Sequence, residues 1–132
     1  MKHQRMHELL DDFSRAHRRL QEALQQDVSQ GSIVVDGTIQ RFEFSFELAW
    51  KLTKAVLCFE GIEALTPRAV IKEAYRVHLI SDGDDWIDML EDRNRTSHVY
   101  DEETAMQIYN KIKNKYEPLF GELESSIRDR LS

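Results

Sequence analysis

Between Thr38 and Glu60 the chain carries apolar residues on two faces of one helix. One stripe is Ile39, Phe42, Phe46, Ala49, Trp50, Thr53 and Leu57, and the other is Phe44, Leu48, Leu52, Ala55 and Phe59. Steps of three and four residues are the signature of a helix rather than a strand. A helix that is apolar on two sides needs neighbours on two sides, so this segment predicts the central member of a helical bundle. Its polar remainder is Gln40, Glu43, Glu47, Lys51 and Lys54.

The other segments repeat the rhythm on one face. From about Met6 to Leu24 the apolar side is Met6, Leu9, Leu10, Phe13, His17, Leu20 and Leu24. Gln26 to Gly31 reads as a loop, and Ile33-Val34-Val35 is too short to assign to a strand. Asp36 or Thr38 is placed to cap the central helix, which Gly61 ends. Thr66-Pro67 predicts an N-cap and first turn for a short helix reaching His78. After the turn Ser81-Asp82-Gly83-Asp84, a fourth helix runs from about Asp84 to Arg93 or a little beyond. Asp101-Glu102-Glu103 suits the positive end of a fifth, whose stripe is Ala105, Ile108, Ile112, Tyr116, Leu119, Leu123, Ile127 and Leu131. Pro118 interrupts that stripe and predicts a kink or short break. Three long amphipathic helices and two shorter ones make an all-α bundle, expected to be one domain over residues 1–132.

Composition narrows the function classes. No apolar run approaches the roughly 18 residues of a membrane span, and the charged start Met1-Lys2-His3-Gln4 is unlike a signal peptide. A cytoplasmic protein is expected. Cys58 stands alone, so neither a disulfide nor a zinc spacing exists, and it reads as a buried, inert thiol. His3 and His7 are four apart but lack a third ligand, so neither a metal nor any other cofactor is expected. His17 reads as a satisfied core histidine, His78 as part of a helix end, and Trp50 and Trp86 as core. A net charge of −6 argues against a generic basic nucleic-acid binder.

One run is not explained by bundle packing: Arg93-Asn94-Arg95-Thr96-Ser97-His98-Val99-Tyr100. Trp86, Leu90 and Arg93 step by four and three, so a guanidinium continues an apolar seam and needs a partner or a task. Asn94 and His98 are helical neighbours if the helix persists. Arg93 and His98 are five apart, about 140° around an ideal helix. They converge only through the length of the arginine, a distorted helix end, or a second copy of the motif across a two-fold axis. Chemically, a histidine can take a proton from a ribose 2′-OH or protonate a leaving oxygen. A guanidinium can hold the phosphate and its developing charge. Asn94 can orient the histidine or a phosphate oxygen. A structural reading of the same residues has Arg93 capping a helix end and His98 packed at a turn.

Arg93-Asn94-x-x-x-His98 at the end of a bundle helix resembles the signature of the HEPN superfamily. The wider text resembles the bacterial nucleotidyltransferase substrate-binding proteins. The matching stretches are Gln40 to Lys51, Thr66-Pro67-Arg68, Trp86 to Leu90 and Arg93 to Asp101, within a likeness spanning roughly residues 5 to 125. The resemblance implies an antiparallel up-and-down four-helix bundle with an additional short helix, usually a homodimer. It implies a minimal nucleotidyltransferase as partner. It also implies one of two functions: a metal-independent ribonuclease toxin silenced by that partner as antitoxin, or a non-catalytic subunit that binds a nucleotide or substrate for it. In the toxin reading Arg93 and His98 are catalytic with Asn94 in support, and Tyr100 receives AMP.

Charge complicates the RNA reading. Nine acidic residues and two arginines lie between Asp82 and Glu103, a field that repels phosphate. Basic compensation is sought in Arg68, Lys72 and Arg76 at i, i+4 and i+8, and in Lys111, Lys113 and Lys115. Either set also reads as ordinary solvated surface, and the acidic field suits a basic protein partner. Glu47 and Lys51 form a favourable i, i+4 pair, while Glu43 and Glu47 are placed to face the motif and orient Arg93.

Overall fold

Local sequence chemistry fixes the helix ends. The computed structural model describes residues 2–98 and 101–132, without the side chains of Lys2 and His3. Helix α1 spans Lys2–Leu24, and a single 3-10 turn, Val28–Gln30, leads to α2, Ser32–Phe59. The central helix therefore begins six residues earlier than Thr38, and Ile33-Val34-Val35 is helical. Gly31, not Asp36 or Thr38, is its N-cap, with φ 123°, a left-handed-side angle that glycine tolerates. Thr38 is already interior, and its hydroxyl donates back to the Val34 carbonyl at 2.7 Å.

At its other end α2 closes through Gly61 at φ 85°. Ile62 N–H bonds the Leu57 carbonyl at 2.8 Å and Gly61 N–H the Cys58 carbonyl at 3.0 Å, the paired bonds of a Schellman cap. Thr66 accepts from Ala69 N–H at 3.2 Å and Pro67 starts α3, Pro67–Arg76. This helix is shorter than expected. It ends in the same cap geometry, with His78 at φ 64° in the position usually given to glycine and Leu79 N–H bonded to the Ala74 carbonyl at 2.9 Å. Helix α4 spans Gly83–Thr96. Asp101 caps α5, Glu102–Lys111, accepting from Thr104 N–H at 2.7 Å. A π turn, Ile112–Tyr116, joins α5 to α6, Glu117–Leu131. Pro118 lies just beyond this turn; it lacks an N–H and crowds the preceding turn, and widening there relieves both.

The fold is the expected all-α bundle: α1, α2, α4 and the interrupted α5–α6 rod, with α3 as the short extra helix. Helix α2 packs against each of the others. The core gathers Phe13, Phe42, Phe46, Trp86, Tyr116 and Phe120 at its centre. Phe42 stacks on Tyr116 at 5.5 Å, and Trp86 meets Phe120 edge-on at 5.9 Å. His17 is buried and satisfied, with Nε2 2.7 Å from Glu117 and Nδ1 3.6 Å from Glu124. The second stripe of α2 is only partly covered. Leu52 is buried, whereas Phe44 and Phe59 are exposed. Cys58 is exposed too, not buried, because it lies at the uncovered end of α2. Among the described residues no helix is long and apolar enough to cross a membrane.

Candidate functional site

The last turn of α4 carries the motif, and α2 lies beside it. Arg93 leaves the seam of Trp86 and Leu90 and meets the polar strip of α2. Its Nη2 donates to Glu47 Oε1 at 2.8 Å. The side chain is 31% exposed, yet its Nε is buried and has no hydrogen-bond partner among the described residues. A buried N–H without an acceptor is costly, so one edge of the guanidinium is anchored and another donor is left unused.

Glu47 is itself held. Trp50 Nε1 donates to its Oε2 at 3.2 Å, and Lys51 Nζ lies 3.9 Å from the same oxygen. The Glu47–Lys51 pair is therefore present, and Glu47 orients Arg93. Trp50 is half-buried as the donor to Glu47 rather than plain core. Glu43 faces the motif differently from expectation: it accepts from the Thr96 hydroxyl at 2.8 Å, not from Arg93. The same hydroxyl lies 2.7 Å from the Arg93 carbonyl.

Asn94 and His98 are exposed. The His98 N–H bonds the Arg95 carbonyl at 2.9 Å and closes the last turn. Among the described residues neither the Asn94 nor the His98 side chain has a hydrogen-bond partner. Tyr100 and Val99 lie outside the described residues.

The basic stripe is elsewhere. Lys72 lines a groove of about 620 Å³ with Asp82, Asp84 and Asp85, at the opposite end of α4 from Arg93. About 15 Å of helix separates those ends at 1.5 Å per residue. Arg68 is exposed on α3, and Arg76 pairs with Glu73 at 2.7 Å. Among the described residues no hydrogen bond or ion pair joins any of the three to the motif. Lys111 and Lys115 are not free for RNA either, and Lys113 is exposed. Lys115 bonds Asp88 at 2.7 Å and Asp85 at 3.1 Å. Lys111 bonds Asp92 at 2.6 Å and Asp88 at 3.2 Å.

This ladder contains residues that sequence reasoning misses. Asp92, one position before Arg93, is 3% exposed. It accepts from the Tyr116 hydroxyl, from Lys111 and, through its other oxygen, from Arg95 at 2.8 Å. Burial, and then the bond to Asp92, push the Tyr116 phenol above its ordinary pKa, so it stays a donor. The available signal is Asp85, Asp88 and Asp92 at helical spacing opposite Lys111 and Lys115. A count of local negative charge hides it, because a count does not say which charges are paired.

Beside the motif lies an open groove of about 930 Å³. Val35, Ile39 and Met106 form part of its apolar wall, and Thr96 and Glu43 link it to the motif. Asp36, Glu43, Asp101, Glu102 and Glu103 line it as well, and none of these five carboxylates pairs with a cation among the described residues.

Residues 8–129 match the model of the family "Nucleotidyltransferase substrate binding protein like". A Haemophilus influenzae protein named "Probable ribonuclease HepT" is 40% identical over 92 residues, a match covering 63% of this chain and 63% of that protein's length. A structure from Haemophilus influenzae, described as revealing the fold of a substrate binding domain of a nucleotidyltransferase, superposes with a TM-score of 0.80 at 28% identity. A crystal structure from Thermus thermophilus gives a TM-score of 0.75 at 32% identity. Each of these two covers 90% of this chain and is itself covered to 98%.

Proposed function

The chain belongs to the nucleotidyltransferase substrate-binding protein-like family, and from that premise we propose that it is a HEPN-type, metal-independent ribonuclease regulated by a minimal nucleotidyltransferase partner. The observation that carries this reading is Arg93: anchored by Glu47 on one edge, partly open to solvent, and five residues before a solvent-facing His98. An oxyanion would meet the guanidinium on its solvent-facing side, away from the buried Nε. The relative named as a probable ribonuclease supports the same reading.

In the proposed reaction His98 accepts the proton of a ribose 2′-OH as that oxygen attacks the adjacent phosphorus. The P–O5′ bond breaks, leaving a 2′,3′-cyclic phosphate and a 5′-hydroxyl. Arg93 stabilises the extra negative charge on the phosphoryl oxygens, and Asn94 supports phosphate or imidazole. Protonation of the departing O5′ falls to the His98 of a second copy or to water. His98 lies beyond the end of α4 at Thr96, so its position is not fixed by the helix that carries Arg93, and a homodimer with the two motifs close together would let a second copy complete the site. Transfer of AMP from ATP to the Tyr100 hydroxyl, with release of pyrophosphate, would place a negative charge two residues from His98 and repel the substrate phosphate.

The discriminating experiment is an RNA-cleavage assay with and without EDTA, using wild type and His98→Ala. Cleavage that survives EDTA, leaves a cyclic phosphate and disappears in His98→Ala is expected. Equal cleavage by both proteins overturns the assignment. A wild type that binds nucleotide but does not cleave RNA supports the second reading, a substrate-binding subunit, which the description of the Haemophilus influenzae fold favours.

A further inference from the structure

Asp92 is a charged side chain buried at 3% exposure, next in sequence to Arg93. Removing a carboxylate from water is costly unless its oxygens are fully engaged. Here both are: Oδ2 by Tyr116 and Lys111, and Oδ1 by Arg95. Tyr116 has little freedom of its own, because its ring stacks on Phe42 of α2 and the Nζ atoms of Lys111 and Lys115 lie 5.7 and 5.9 Å from its centroid. The π turn carries Tyr116 and sits against α4. On its other side the same turn of α4 is tied to α2 by Arg93–Glu47 and Thr96–Glu43. The contacts close a circuit from α2 through Tyr116, Asp92 and Arg93 back to α2.

We infer that Asp92 is the positioning residue of this site. Gripped by Tyr116, Lys111 and Arg95, it fixes the rotation of the last turn of α4, and so the direction in which Arg93 points and the place from which His98 departs. Asp92 does not touch the substrate. Lys111 and Tyr116 act through it, which explains why two groups from the far end of α5 and the π turn are committed to an acid beside the motif arginine. The kinetic consequence rests on the ribonuclease reading; the effect on local order does not.

The test compares wild type with Tyr116→Phe, which keeps the ring and removes the hydroxyl, and with Asp92→Asn, which keeps the shape and removes the charge. Ile127→Val, in α6 and fully buried, serves as a control for general loss of stability. Amide hydrogen exchange is read at residues 93–98, and RNA cleavage is read as kcat and KM. In both site variants exchange at 93–98 accelerates while the amides of α1 and α6 keep their protection, a local opening rather than a global one. Cleavage falls about 10- to 100-fold in kcat, the scale of a small misplacement of reacting groups, with KM changed much less. The Ile127→Val protein shows neither effect. Unchanged exchange at 93–98 in Tyr116→Phe overturns the inference. If wild type does not cleave RNA, the ribonuclease reading fails, while the exchange result still decides the role of Asp92.

Discussion

Arg93 is held by the fold on one side and partly open to solvent on the other. Glu47 takes one nitrogen at 2.8 Å, and Nε is buried without an acceptor among the described residues. A lysine keeps the charge but loses the fork. Arg93→Lys should therefore lower RNA cleavage by about 100-fold, the scale of losing one donor to developing charge. Both members of the pair are about one-third exposed, so stability should drop by no more than about 1 kcal/mol. A cleavage assay and a thermal melt on the same sample separate the two effects. His78 poses the opposite case, strain without a visible task. It occupies at φ 64° the position that Gly61 fills at the end of α2. His78→Gly should raise stability by about 1 kcal/mol, and a thermal melt would record it as a shift of several degrees, about 2–8 °C.

The α4–α5 ladder sets a pH window for the element that carries the motif. The hydrogen bond from Lys115 holds the Asp88 carboxyl below its ordinary value of 3.8. Its stabilisation is present above that value and is lost as pH falls through the folded-state pKa. The bond to Asp88 holds the Lys115 ammonium above 10.5, so its contribution is present below that value and is lost as pH rises past the folded-state pKa. Urea melts should show wild type more stable than Asp88→Asn near neutrality and the two converging below about pH 4. Persistence of the full difference at pH 2 would refute the assignment. These pairings also mark where sequence reading stops. Period and caps reveal the bundle, the Gly61 and Thr66-Pro67 boundaries and the irregularity near Pro118, because those are local in the chain. Glu47 against Arg93 is legible because both fall on recognisable helix faces. Asp92 with Tyr116 is not, since 24 residues separate them and a π turn sets which way the tyrosine faces. The early start of α2 escapes a sequence reading because three β-branched residues suggest nothing helical until packing overrides propensity. Cys58 is misread because the second stripe of α2 is covered only in part.

At the scale of the whole molecule, the expectations concern assembly and regulation. Light scattering at micromolar concentration should give a dimer, and mixing inactive His98→Ala with inactive Arg93→Ala protein should restore some cleavage if the two chains share a site. A Tyr100→Phe protein should cleave RNA as wild type does and resist silencing by ATP and the partner enzyme, with AMP transfer read by mass spectrometry. The groove beside the motif bears on how any substrate arrives. Its five carboxylates have no cation to pair with among the described residues, while the acids along α4 at Asp85, Asp88 and Asp92 are matched by lysines. A polyanion approaching along this groove would meet repulsion before it met Arg93. Adding salt shortens the reach of that repulsion from about 30 Å at 0.01 M to about 10 Å at 0.1 M. Most proteins that handle nucleic acids lose their substrate as ionic strength rises; here encounter with a short RNA should quicken over that range, an inverted salt response written into the placement of a few unpaired acids.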